Sequence, residues 1–228
     1  MISIQQLYKT YQRGTESVEA ICGIDLDINK GEFVVILGPS GGGKSTLLNL
    51  IGGIDHPTSG TIAINGFALE KASEESLTRF RRDHIGFIFQ FYNLLSALNA
   101  AENVSLPLMA KGVAFKQANL KATQILTRLG LEKRLKHLPS ELSGGEQQRV
   151  AIARSIIAEP ELILADEPTG DLDSRTADEI TGLMRELNIQ MGLTFVVATH
   201  NLRLAENADR VFELRDGKIH LNHHDKTG

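Results

Sequence analysis

The sequence predicts an α/β fold with a helical subdomain inserted in its middle. Three observations carry that expectation. Phe33-Val34-Val35-Ile36-Leu37 and Leu162-Ile163-Leu164-Ala165 are continuous apolar runs of strand length, as strands buried on both faces of a sheet require. Each is followed by a loop and then by apolar residues at helical spacing, the succession from which α/β cores are built. Between them, from about residue 91 to 160, helical stretches dominate.

Along the chain, Ile24, Leu26 and Ile28 alternate with Asp25, Asp27 and Asn29, a strand with one wet face. The Phe33–Leu37 run enters the glycine-rich segment 38–46, after which Leu47, Leu48, Leu50 and Ile51 are spaced for a helix. Thr61 to Ile64 reads as a strand closed by the Asn65-Gly66 turn. In the middle region, Lys116 to Leu129 reads as a helix ended by Gly130, with Pro107 and Pro139 as breakers. After Leu162–Asp166, a helix is expected from Ser174, with Ala177, Ile180, Met184, Leu187 and Met191 on one face. Thr194–Ala198 is a further strand, and Val211–Arg215 and Lys218–Leu221 form a hairpin around Asp216-Gly217. The polar tail after Leu221 is expected to fray.

The 228 residues, 42% hydrophobic and 23% charged, have ordinary globular composition and show no internal repeat. Lys plus Arg number 24 against 28 Asp plus Glu, a net charge of −4, which argues against a protein that coats nucleic-acid phosphates. The single cysteine, Cys22, forms no intrachain disulfide, points to a reducing compartment and reads as a small packed residue. The longest apolar runs fall far short of the roughly 20 residues of a membrane span. Residues 1–5 lack the pattern of a signal peptide. The expectation is a soluble, intracellular protein.

Gly38-Pro39-Ser40-Gly41-Gly42-Gly43-Lys44-Ser45 fits G-x-x-x-x-G-K-S/T between a buried strand and a helix. Glycines let backbone N–H groups converge on phosphate oxygens, and the helix N-terminus adds partial positive charge. Lys44 can reach the β- and γ-phosphates, and the Ser45 hydroxyl can bind Mg²⁺. Asp166 and Glu167 end the second buried strand. Beside a phosphate loop, one carboxylate can hold Mg²⁺ and the other can take a proton from an attacking water. Leu142-Ser143-Gly144-Gly145-Glu146-Gln147-Gln148-Arg149 opens a helix through Ile157. Ser143 caps it, and the glycines bare its amides, so it is either a plain N-cap or a second anion-binding helix start.

Gly38–Thr46, Phe87–Gln90, Leu142–Arg149, Leu162–Glu167, Gly170-Asp171-Leu172-Asp173 and His200 stand in the order of an ABC transporter ATPase subunit. The resemblance spans essentially residues 1–228 as one ATPase domain. It implies a P-loop core with an N-terminal antiparallel β-subdomain and the inserted helical subdomain at about 91–160. It further implies that Tyr11 stacks on adenine and that residues 38–46, including Thr46, hold the phosphates. By the same resemblance Gln90 senses Mg²⁺ and water, Glu167 is the general base, and His200 holds the γ-phosphate. Ser143, Gly144, Gly145 and Glu146 form the signature that completes the site of the opposite subunit, and Asp173 is the dimer-interface aspartate. ATP and Mg²⁺ are the implied cofactors. The implied partners are a second copy and an integral-membrane permease that holds the chain to the cytoplasmic face of the membrane, with contact expected near Phe91–Leu98. Nucleic acid is not among the expected partners.

Gly52-Gly53-Ile54-Asp55 and the segment Arg82–Leu95 resemble the lipoprotein-releasing and macrolide-exporter group. An amino-acid importer ATPase and a non-transporting mechanical regulator, like the cell-division relatives, are the alternatives. Gly42 stands where serine is common, and Asp171 where Asn or Ala is usual. Glu146 takes the usual glutamine position of the signature. His220, His223 and His224 lack the cysteine or carboxylate scaffold of a metal site.

Overall fold

The computed structural model describes residues 1–221; the expected fraying of the tail, and His223 and His224, lie outside the described residues. In chain order the elements are β1 (Ile2–Arg13), β2 (Glu16–Ile28), β3 (Phe33–Leu37), α1 (Lys44–Ile51), β4 (Ser59–Ile64) and β5 (Phe67–Ala68). Then follow α2 (Glu74–His84), β6 (Ile85–Phe89), α3 (Ala100–Ala110), α4 (Phe115–Arg128), α5 (Gly144–Ile156) and β7 (Leu162–Asp166). The chain continues through α6 (Ser174–Met191), β8 (Thr194–Thr199), α7 (Leu202–Ala205), β9 (Arg210–Arg215) and β10 (Lys218–Leu221).

Two sheets result. One is antiparallel, in the order β2-β1-β4-β5. The other runs β10-β9-β3-β8-β7-β6, parallel throughout except for the β9–β10 hairpin. The apolar run of β3 explains itself in this arrangement. Phe33 and Val35 face a core shared with α3 to α6, while Val34 and Ile36 face a second core between the two sheets, shared with α1. Side chains alternate across a strand, so a strand covered on both sides has no polar position to offer. β2 has one covered face, and Ile24, Leu26 and Ile28 are buried while Asp25 and Asp27 are exposed. In β1 the alternation slips at Gln6, which has φ 45° where the pairing with both neighbours shifts register.

Three details differ from expectation. Pro107 does not break a helix but lies inside α3. Tertiary packing outweighs the lost N–H bond, because Ala100, Ala101, Val104 and Leu108 are buried against the neighbouring helices. Met191 ends α6 at 38% exposure, one turn beyond the last covered residue of the stripe, Leu187. α2, absent from the expectation, carries only Leu77 and Phe80 as buried apolar residues. Its signals are at its ends: the Ser73 cap, Glu74 and Glu75 in the first turn, and Arg81, Arg82 and His84 in the last.

Candidate active site

Four parallel strands lie side by side in the larger sheet, in the order β3, β8, β7, β6. The residues leaving their C-terminal ends are Gly38, His200, Glu167 and Gln90. With strands about 4.8 Å apart, this topology brings distant chain segments into one row. Ligands of α/β sheets gather at such strand ends.

The loop from Gly38 turns into α1 at Gly43, which has φ 97° and offers no side-chain cap, and no acidic residue stands in the first turn. The partial positive charge of that helix start is therefore left uncompensated by the helix's own side chains. Lys44 is 6% exposed, and its Nζ donates to the carbonyls of Gly38 (2.9 Å) and Pro39 (3.1 Å). It also lies 3.4 Å from Glu167 Oε1. Glu167 Oε2 accepts from Thr199 Oγ1 and lies 3.0 Å from His200 Nδ1. The backbone of Glu167 sits at φ 45°, a left-handed conformation that non-glycine residues adopt where surrounding structure imposes it.

Asp166, the last residue of β7, precedes Glu167. Burial pushes its pKa up and the charge of Glu167 adds to that, against a hydrogen bond from Ser45 and the charge of Lys44. Its Oδ1 is buried without a hydrogen-bond partner among the described residues. A buried carboxylate oxygen with a free lone pair, beside a serine hydroxyl, is the oxygen-donor set a hard divalent cation takes. The residues present fit Mg²⁺.

Lys44, Ser45 and Glu167 border a cleft of about 640 Å³, of the size that holds a cofactor, lined also by Tyr11, Gln90 and Asp216. Tyr11 is held from several sides. Its hydroxyl donates to Asp55 Oδ2 at 2.7 Å, and Lys9 Nζ sits 4.7 Å from its ring centroid while pairing with Asp55 Oδ1 at 2.6 Å. Burial and the Asp55 carboxylate push the phenol pKa up, so the ring stays neutral. Burial also opposes ionisation of Asp55, but hydrogen bonds from Lys9, Tyr11 and the His56 amide outweigh it and hold its pKa low.

Ser143, Gly144, Gly145 and Glu146 line a different cavity of about 340 Å³, together with Asp171 and Asp173. None of its lining residues borders the larger cleft. Ser143 and Glu146 cap α5 reciprocally, each accepting the other's backbone N–H. Asp173 caps α6 through the amides of Arg175 and Thr176. Gln90 connects the two regions, with Nε2 3.4 Å from Asp171 Oδ1. His220 lies on β10, and no group of three or more potential metal-binding His, Cys, Asp or Glu side chains occurs among the described residues.

The segment after Gln90 divides by exposure. Phe91 and Leu95 are exposed, whereas Leu94 packs on the core and Leu108 is buried. Tyr92 and Asn93 both take positive φ, and their carbonyls accept from Arg154 at 2.7 and 2.6 Å. Next to this clamp runs a groove of about 410 Å³ bordered by Phe87, Phe89, Asn93, Pro107 and Arg154.

Thr199, Lys9 and Arg154 were not singled out from sequence. Arg154 had a signal, a charge within the apolar run Val150–Ile157. Lys9 had one too, since it shares a strand face with Tyr11 two residues away. Thr199 had only its place before His200.

The profile of the family described as ABC transporter matches residues 21–170. The chain is 47% identical to the lipoprotein-releasing system ATP-binding protein LolD of Legionella pneumophila (strain Lens), over 96% of this chain and 97% of that one. It is 46% identical to the uncharacterized ABC transporter ATP-binding protein YknY of Bacillus subtilis (strain 168), over 96% and 95%. Among solved structures it resembles the dimeric post-hydrolysis state of the ATP-binding cassette MJ0796 bound to ADP and Pi, with TM-score 0.92, 41% identity and full coverage of both chains. A second dimeric structure of MJ0796 superposes with TM-score 0.89 at 44% identity, covering 96% of each. The strand-end row, the uncapped helix start and these likenesses converge: the chain belongs to the ABC transporter family, as an ATP-hydrolysing, ATP-binding subunit of the LolD group.

Proposed function

We propose that two copies of this chain enclose two ATP molecules and drive a separate membrane permease of the lipoprotein-release or macrolide-export type. Residues 1–228 act as one ATPase domain, with 91–160 as its helical subdomain. The observation that carries the catalytic reading is Glu167, held between Lys44 and His200 at the end of β7. A carboxylate fixed by Thr199 and His200 is oriented to take a proton from a water beside the γ-phosphate. Lys44 stabilises charge on the transferring phosphoryl group, Ser40 to Thr46 orient the phosphates, and Tyr11 presents the ring face opposite Lys9 to adenine. Asp166, Ser45 and Gln90 would hold Mg²⁺, which neutralises phosphate charge when bound.

The separation of the Ser143 cavity from the Lys44 cleft supports its action on the nucleotide of the other copy. No described helix is long and apolar enough to cross a membrane. The groove beside Phe91–Leu98, with Phe91 and Leu95 exposed, supports docking of a short permease helix there.

Glu167→Gln tests the reading. The variant should bind ATP with near-parental affinity, lose roughly 10²–10⁴-fold in turnover, and accumulate as an ATP-bound dimer on gel filtration. Near-parental hydrolysis would remove Glu167 as the base.

A further inference from the structure

The cavity at the start of α5 is rich in acid. Glu146, Asp171, Asp173 and Glu179 line it, with Arg149 as the basic residue of the lining. A polyphosphate arriving there meets like charge unless each carboxylate is compensated. Asp173 is occupied by Thr176 and two backbone amides. Glu179 lies 3.4 Å from Arg149 and 3.3 Å from Arg175. Asp171 lies against the Gln90 amide.

Glu146 is the critical one, because it stands in the first turn of α5, among the amides that would receive the anion. It cannot swing away without undoing the cap: its Oε2 accepts the Ser143 N–H at 2.8 Å. Its Oε1 accepts from Arg134 Nε at 2.7 Å. That hydrogen bond, more than the cap, holds the Glu146 carboxyl below the usual range, so protonation offers no relief at neutral pH. Arg134 comes from outside α5, in a turn closed by its own amide to Leu131 and by His137 to its carbonyl. The carbonyls of Leu135 and His137 accept from Ala101 and Ala100 at the start of α3, which pins the turn.

We propose that Arg134 is a positioning residue of the composite ATP site: it neutralises Glu146, so that the start of α5 can receive the terminal phosphate of ATP bound to a second copy. The proposal rests on the two-copy reading above. It makes the charge of Arg134 necessary only while Glu146 carries one.

The test is ATP-driven dimerisation of the full chain in the Glu167→Gln background, followed by sedimentation velocity as Mg²⁺–ATP is titrated. Arg134→Ala should raise the ATP concentration for half-dimerisation about fivefold, the size of one partly exposed charge interaction. Glu146→Gln alone should stay within about twofold of the parent, and Arg134→Ala with Glu146→Gln should return to the Glu146→Gln value. Binding of a fluorescent ATP analogue to the dilute monomer should be unchanged in all three, because Arg134 acts on the partner's nucleotide. A parental response from Arg134→Ala, or no rescue in the double variant, overturns the proposal. Should Arg134→Ala melt below the assay temperature, Arg134→Gln keeps a donor without the charge and carries the same expectation. Ser143→Arg separates the two readings. If it dimerises like the parent, or if the parent never dimerises with ATP, the two-copy reading fails. If Ser143→Arg abolishes dimerisation while Arg134→Ala has no effect, only the Arg134 proposal fails.

Discussion

α1 and α5 both begin at glycine-rich loops, and the two starts are built in opposite ways. At α1 the capping position is Gly43, no side chain bonds to the first-turn amides, and the first turn holds a buried lysine and no acid. At α5 two amides already have partners: Ser143 accepts that of Glu146, and Glu146 accepts that of Ser143, with a carboxylate in the first turn. A helix start left bare is poised for an external anion, whereas one closed by a capping box is self-sufficient and must trade internal bonds to accept one. That contrast fits the proposed division of labour, in which the first start binds nucleotide within one copy and the second engages only when another copy closes on it.

The largest expected effect lies at the bare start. Lys44 is the basic residue of the cleft lining, and Lys44→Ala should lower kcat/KM for ATP by roughly 10²–10³-fold. Nucleotide titration should show weakened binding as well. A variant that binds and hydrolyses Mg²⁺–ATP normally would move the site away from α1. The capped start makes the complementary prediction. Ser143→Arg should abolish turnover while leaving ATP binding by the dilute monomer unchanged. Mixing the two inactive variants places both lesions in one composite site of each heterodimer and leaves the other intact, so the mixture should regain part of the parental ATPase activity. No recovery, together with heterodimers visible by sedimentation, would mean that the sites must fire together.

How much of this could be read from the residues differs between the two starts. The strand, loop and helix around Gly38–Ile51 lie within twenty residues, and their meaning is local: apolar run, glycines, lysine. The row of Gly38, His200, Glu167 and Gln90 is not local. It exists because β3, β8, β7 and β6 are neighbours, and strand order is fixed by packing on both faces rather than by any segment's own pattern. The sequence marked the ends of β3, β7 and β8, gave Gln90 only through the family resemblance, and did not show their adjacency. Pro107 shows the reverse failure, a strong local signal overridden by burial of its helix against α4 and α5. The Arg134–Glu146 pair spans the turn before α5 and has no periodic signature, so only the folded chain displays it.

Glycines sharpen the comparison at smaller magnitude. A Cβ at Gly43 would lie 2.5 Å from the Ala20 carbonyl oxygen, on a backbone at φ 97°. Gly43→Ala should therefore destabilise by roughly 2–4 kcal/mol, seen as a lowered melting temperature. At Gly145 the obstacle is a methyl of Thr176 at 2.6 Å, on a side chain whose rotation costs one hydrogen bond to Asp173 rather than a backbone shift, and alanine is the better helix former. Gly145→Ala should stay within about 1 kcal/mol of the parent while weakening ATP-driven dimerisation. Equal melting shifts would erase the distinction between a glycine required by the fold and one kept for access.

The smallest effect distinguishes the two starts by the sign of a pH slope. Asp166, beside the bare start, has its pKa raised above 3.8 by burial, whereas Glu146, in the capped one, is lowered below 4.5, chiefly by Arg134. A raised folded-state pKa means that the folded chain holds the proton more tightly than the unfolded chain. The stability this gives is fully present below the unfolded value and is lost as pH rises through the folded value. As pH rises above that range, Asp166 is therefore a burden on the nucleotide-free chain. Asp166→Asn should raise its melting temperature at pH 7, with a stability gain of no more than about 1 kcal/mol after solvent screening, and the gain should fade toward pH 4. Glu146 works in the other direction: its contribution is present above the unfolded pKa and is lost as pH falls through the lowered folded value. Glu146→Gln should thus melt slightly lower than the parent at pH 7, with the difference closing in acid. Melting curves of the nucleotide-free variants from pH 4 to 8 decide the matter. Slopes of the same sign would mean that the two carboxylates sit in equivalent environments, and the division between an expectant site and a self-capped one would fall with them.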